Sequence, residues 1–182
     1  IDMKYWTPTT EPQSKDDGII RIVHAPTNRR KKGTEFIEQS VAKLKLKGYR
    51  LELVLAENLP NYKIKELYEK SDIGIDQMLY GWYGKVSVEL MALGKPVICY
   101  INPEYEKYRP DLPIVHADIN SLPTVLEGLI IDKVKRISIG EASRNYVAKY
   151  HDVEKETDRL LGLYMQHSRN KSTKSIGLTE NI

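Results

Sequence analysis

At 182 residues the chain is one domain's worth and long enough to bury its own core. Its 41% hydrophobic and 29% charged residues are ordinary for a globular protein, and its apolar runs are strand-sized, which argues against a signal peptide or a spanning helix. One cysteine, Cys99, leaves no disulfide framework or thiolate metal cluster and fits a reducing, cytoplasmic setting, while a net charge of +3 does not by itself indicate nucleic acid.

The opening IDMKYWTPTTEPQSKDDG is rich in Pro, Thr and Asp and lacks periodicity, so residues 1–18 are expected to be a linker or crossover segment joining this domain to something upstream. The domain itself is expected over residues 19–167. Ile19, Ile20, Ile22 and Val23 predict a short buried strand running into HAPTNRRKKGT; Phe36, Ile37, Val41, Leu44 and Leu46 then predict a helix closing at Gly48. LELVLAE predicts a second strand ending at Glu57, followed by a helix from Tyr62 to Lys70 with Ile64, Leu67 and Tyr68 on one face. Asp72 to Asp76 predicts a third strand and Pro96 to Ile101 a fourth, with the loop YGWYG and a helix between them. A charged loop, Asn102 to Asp111, leads to a short strand at Pro113 to His116. Helices are expected at Leu122 to Ile131, Val134 to Tyr150 and Val153 to His167, with residues 168–182 a polar tail, either mobile or an outlying helix.

Strands alternating with helices at this spacing predict an α/β fold, a Rossmann-like parallel sheet with helices on both faces. Ligands in such sheets lie outside the carboxyl ends of the strands. That rule gathers HAPTNRRKKG, the residues around Ala56 and Glu57, and YGWYG on one edge. In the first loop four consecutive cations, Arg29 to Lys32, precede Gly33 and a helix start. Arginine forks, a lysine point charge and free helix amides suit a diphosphate. A solvated basic turn and a nucleic-acid patch are the competing readings, the latter weakened by the absence of interleaved aromatic platforms. His24, at a strand end, is as readily a core residue as a contact. The order GxxxxGK[ST] is missing, and Asp72, Asp76, His116 and Asp118 lack metal-ligand spacing.

In the second loop Gly81 and Gly84 bracket Trp82 and Tyr83, so backbone can approach a ligand where the next helix opens, and an anion site is expected there. Glu89 is the only ionisable residue between Lys85 and Lys95. A lone carboxylate in so apolar a helix is costly unless something binds it, and a polyol such as a ribose would do so.

Together these stretches resemble the C-terminal, donor-binding domain of group 1 retaining GT-B glycosyltransferases. IDMKYWTP is similar to the family's interdomain segment, HAPTNRRKKGTEFI to its donor-diphosphate loop and helix, YGWYGKVSVELMALGKPVI to its EGFG-type loop, helix and strand, and RNYVAKYHDVEKETDRLLGLY to its closing helices. The likeness implies that Arg29 and Lys32 stabilise the leaving diphosphate as catalytic residues. Asn28, Gly33, Glu57, Tyr83, Gly84, Lys85 and Glu89 would bind the donor, through backbone amides at Tyr83, Gly84 and Lys85 and with Glu89 on the ribose hydroxyls. Relatives carry a first glutamate eight positions before the second, a contact to the donor sugar, and this chain has Gly81 there. The implied substrate is a nucleotide diphosphate sugar, with no cofactor and no metal. The implied partners are a glycan or lipid-linked acceptor and an N-terminal domain outside this sequence, with no nucleic acid and with peripheral membrane association of the full-length enzyme left open. A nucleotide-sugar epimerase of the same fold, or a nucleotide-binding module without activity, are the alternatives.

Overall fold

The computed structural model describes residues 1–9 and 17–176, with side chains described as far as residue 167. Five parallel strands form one sheet: β1 (Ile20–His24), β2 (Leu51–Leu55), β3 (Ile73–Ile75), β4 (Val97–Cys99) and β5 (Val115–His116), in the order β2-β1-β3-β4-β5. The chain winds one way from β1 to β2 and the other way from β3 onward. The reversal opens a crevice above the carboxyl ends of β1 and β3.

Strand residues point alternately to two cores, as the two-residue period of an extended chain requires. Ile22, Ile73, Ile75 and Ile98 join Ile37, Val41 and Leu44 of α2 (Thr34–Leu46) and Leu122, Leu126 and Leu129 of α6 (Leu122–Ile131) on one face. Val23 and Val97 join Tyr68 of α3 (Asn61–Glu69), Leu90 and Met91 of α4 (Lys85–Ala92), and Tyr146 and Val147 of α7 (Lys133–Tyr150) on the other. Hydrophobic strands covered on both sides are the reason the sheet can be wholly parallel.

Two helices lie inside stretches expected to be loops. The basic run is itself one helical turn, α1 (Arg29–Lys32), because Asn28 is extended and accepts from Lys31 N at 2.9 Å while Gly33 ends the turn at φ 74°. The charged loop contains α5 (Pro103–Glu106), started by Pro103 and capped by Asn102. The closing helix α8 (Val153–Ile176) runs past the expected start of the tail, and residues 177–182 lie outside the described residues. The expected linker is described only at its ends. There Trp6 is buried, its ring centroid 6.0 Å from that of Tyr68, and Arg144 of α7 donates to the carbonyls of both Trp6 and Ala92. An aromatic residue thus ties this segment to the second core despite its polar composition.

α4 and α7 approach closely where Gly140 meets the turn after α4. A β-carbon on Gly140 would lie 2.0 Å from the Gly94 carbonyl oxygen, an impossible contact with rigid backbone. Gly140→Ala should therefore cost about 1–3 kcal/mol by forced separation of the helices. Gly128→Ala in α6, where an added β-carbon meets nothing within 4 Å, should be neutral or gain up to about 1 kcal/mol of helix propensity. Urea unfolding of the two variants should give opposite signs.

Candidate functional site

At the crevice the loops after β1 and β3 are joined twice. Met78 N–H donates to the Lys32 carbonyl at 3.1 Å, and the Lys32 ammonium donates to Asp76 Oδ1 at 2.8 Å. Asp76 follows β3 directly, and its side chain is 0% exposed. Its other oxygen, Oδ2, accepts from Gly84 N–H at 2.8 Å and from Ser87 Oγ at 2.7 Å, so the carboxylate sits at the N-terminus of α4. A helix N-terminus favours a negative charge, and here the chain supplies its own. The anion site expected at YGWYG is accordingly filled by Asp76, and the Gly84 amide expected to face a donor phosphate is already given to it.

Lys32 faces the crevice with its side chain 15% exposed, and it is held by a carboxylate. Arg29, half exposed, turns towards β2 and pairs with Glu57 at 3.1 Å and Glu38 at 3.2 Å. Glu57 is thereby a partner of the basic loop. Arg30 and Lys31 are exposed. Asn28 spends its side-chain oxygen capping α1. Gly33 N–H turns back to the Arg29 and Arg30 carbonyls, so the free amide expected there is used within α1. What Gly33 contributes is room: its left-handed backbone takes the chain straight into α2, and a β-carbon would stand 3.1 Å from Met78 Cβ. A pocket of about 320 Å³ beside the α2 N-terminus is lined by Arg29, Arg30, Thr34, Glu35 and Glu38.

Glu89 lies one turn below Lys85, the first residue of α4. Its side chain is 7% exposed, and its one charged partner among the described residues is the Lys85 ammonium, 3.3 Å away and itself 74% exposed. Burial raises the Glu89 pKa above its ordinary value, with Lys85 opposing the shift. On α3, the buried Tyr68 hydroxyl has no hydrogen-bond partner among the described residues, and burial with the nearby Glu89 and Asp76 charges pushes its pKa far up.

The Tyr83 side chain is used within the protein. Its hydroxyl is shared with Tyr146 Oη at 3.2 Å and His151 Nε2 at 3.0 Å, which ties the loop to the end of α7. Gly81 has φ 78°, its carbonyl accepts from Asn102 N–H at 2.8 Å, and a β-carbon would lie 3.1 Å from Asn102 Cβ. A glutamate at the position of the resemblance's first one would therefore need a strained left-handed backbone and a shift of Asn102.

Two residues of the crevice escaped the sequence reading as contributors. Gln77 ties the loop together: its amide N–H₂ donates to the carbonyls of Trp82 and Tyr100, and its oxygen accepts from Leu79 and Tyr80 N–H. Asp76 was visible as an acid at a strand end, but its three donors come from two separate places in the chain, the end of α1 and the start of α4. His24 proves to be a core clamp, its Nδ1 2.8 Å from the Ile75 carbonyl and its Nε2 2.9 Å from Thr34 Oγ. Nδ1–H donates to the carbonyl, and with the neutral ring that burial favours, Nε2 accepts from the hydroxyl.

No protein-family model matches the sequence, and no curated protein matches it. Solved structures do. Sucrose-phosphate synthase from Thermosynechococcus elongatus superimposes with a TM-score of 0.71 at 17% identity, over 93% of this chain and 51% of that one. The C-terminal domain of a glycosyl transferase group 1 family protein, LpcC, from Francisella tularensis gives 0.65 at 16% identity, over 84% of this chain and 99% of that domain. WaaG, a glycosyltransferase involved in lipopolysaccharide biosynthesis, gives 0.56 at 14% identity, over 75% and 44%. The chain spans about half the length of the sucrose-phosphate synthase chain and nearly all of the isolated LpcC domain.

Burial lowers the His24 pKa from 6.5, and it lowers that of the half-buried His151 as well. Each ring takes up a proton more readily in the unfolded chain, so the stability each contributes is full above pH 6.5 and falls as the pH drops below it. Urea midpoints from pH 7.5 to 5 should decline. His24→Asn should be less stable overall yet reduce that slope by up to about 1.4 kcal/mol per pH unit; an unchanged slope would mean that His24 does not couple folding to pH. At these identities the structural likeness establishes architecture, and this chain has the fold of the C-terminal, Rossmann-like domain of GT-B glycosyltransferases.

Proposed function

We propose that this chain is the donor-binding half of a retaining, nucleotide-sugar-dependent glycosyltransferase acting on a glycan or lipid-linked acceptor in the cytoplasm. The observation that carries the reading is Glu89: a carboxylate more than nine-tenths buried, one turn into the helix that opens at the crevice, with a single exposed lysine beside it. Such a group is stabilised by ligand hydroxyls that replace the water it has lost. A ribose offers two. The diphosphate then falls towards the basic turn, where Lys32 and the first turn of α2 face the crevice. Arg29 joins by leaving Glu38 and Glu57, an exchange that costs little because the pairs are solvent-exposed. In catalysis Arg29 and Lys32 would stabilise the charge that develops on the leaving diphosphate. Lys32, already facing the crevice, and Arg29, once released, supply the charge a divalent ion would otherwise bring, so donor binding should survive a chelator.

Acceptor contacts are assigned to a domain outside this sequence, so the chain alone should bind donor nucleotide without turnover. Because Gly81 leaves no side chain where relatives place a glutamate, the donor sugar would be held through other groups of the loop. Backbone at Tyr83 and Lys85 remains the nearest source of such contacts. Glu57, paired with Arg29, is freed when the guanidinium moves to phosphate.

Calorimetry with a panel of nucleoside diphosphates should find one base that binds, and Glu89→Gln should weaken that ligand by about 1.5–3 kcal/mol. Inorganic pyrophosphate should bind the variant as well as wild type. Equal losses for both ligands would contradict a ribose role for Glu89. In the full-length enzyme Arg29→Ala and Lys32→Ala should each lower kcat by about 10²–10³, the effect of losing one preorganised donor. Arg30→Ala and Lys31→Ala should change it by less than about tenfold. Uniform mild effects at all four positions would return the basic run to a solvated turn.

A further inference from the structure

We infer that Asp76 is a positioning residue that holds Lys32 for a diphosphate, rather than a simple cap of α4. The inference rests on the proposed role of Lys32 and goes beyond it, because the two oxygens of Asp76 are used differently. Oδ2 is fixed by the Gly84 amide at 2.8 Å and the Ser87 hydroxyl at 2.7 Å, both rooted in α4. Capping is complete with those two. Oδ1 nonetheless faces the other loop and takes the Lys32 ammonium at 2.8 Å across 44 residues of sequence. The carboxylate is fully buried, and its own backbone N–H is bound to the Ile98 carbonyl at 3.0 Å, so it cannot follow a moving lysine. The lysine is what is held.

Lys32 is fixed at its root as well. Its N–H donates to the Asn28 carbonyl at 3.0 Å, and its carbonyl accepts from Met78 N–H at 3.1 Å. An ammonium has three donors, and the carboxylate takes one. The Lys32 side chain is only 15% exposed, so a phosphate oxygen that reaches its ammonium meets it in a largely desolvated setting, where a charge-assisted hydrogen bond is strong. Unheld, a lysine with four rotatable bonds would have to give up that freedom on each binding event. A buried acid that presents a lysine to phosphate oxygens is a known solution in phosphoryl-transfer enzymes of another fold. Here the acid and the base come from loops on either side of the sheet's switch point, so the pair also sets the width of the crevice.

The test is calorimetry of inorganic pyrophosphate, and of the best nucleoside diphosphate, on wild type, Asp76→Asn, Lys32→Met and the double variant. Asp76→Asn should weaken pyrophosphate by about tenfold or more, the range for losing a hydrogen bond to a charged group. In the Lys32→Met background it should cost nothing further, a non-additivity that a structural cap would not produce. If Asp76→Asn does not fold, Ser87→Ala replaces it. Removing that single donor should weaken pyrophosphate by about fivefold in wild type and leave Lys32→Met unchanged. Unaltered or tighter pyrophosphate binding by Asp76→Asn overturns the proposal, since the carboxylate would then be a bystander or a competitor for the lysine. Additive losses overturn it too, as does a wild-type protein that does not bind pyrophosphate. Pyrophosphate binding that depends on both residues, with no nucleoside diphosphate bound, would uphold the positioning role and reject the nucleotide reading instead.

Discussion

A buried carboxylate at the end of β3 is the constraint on which the crevice depends. Left unpaired in a dry site it would cost several kcal/mol. The chain meets that cost with an amide, a hydroxyl and an ammonium drawn from the start of α4 and the end of α1. Satisfying one charge therefore brings together the two loops that any ligand at the switch point must touch. The His24 clamp works beneath it, bonding the Ile75 carbonyl and the Thr34 hydroxyl and so fixing the ends of β1, β3 and the start of α2 relative to one another. Charge satisfaction and neutral hydrogen bonding thus build one rigid floor.

The two buried acids of the crevice stand in opposite conditions. Asp76 has three donors and is complete. Glu89 has one exposed lysine, and burial raises its pKa. The distinction separates a group that organises the site from a buried group with a single, exposed partner among the described residues. Gly81 packs tightly on Asn102, so any side chain there would need a left-handed backbone and a shift of its neighbour.

Much of this was legible in the residues. Short hydrophobic strands, helices of 3.6-residue period between them and the rule on carboxyl ends locate the crevice from the residues alone. Glu89 was legible because an ionisable residue flanked by Val88, Leu90 and Met91 breaks its local pattern. The basic turn was legible as a cluster, although its helical form was not: four cations carry no helical signature, and a four-residue helix owes its existence to Asn28 and Gly33 at its ends. Asp76 and Gln77 were opaque for another reason. Their roles lie in partners far along the chain, and nothing in a strand-ending acid says whether a lysine 44 residues earlier will meet it. Trp6 shows the same limit, since a polar flanking sequence concealed an anchor that packs on Tyr68.

An amide chemical-shift titration with the best-binding nucleoside diphosphate tests the central claim most directly. The account predicts that the largest perturbations fall at residues 28–35 and 83–89, on both loops of the switch point, with smaller ones around Glu57. A second pocket of about 400 Å³ lies at the ends of β4 and β5, lined among others by Ile101, Arg109 and His116. Perturbations centred there, or scattered over α8 with the two loops silent, would contradict the account.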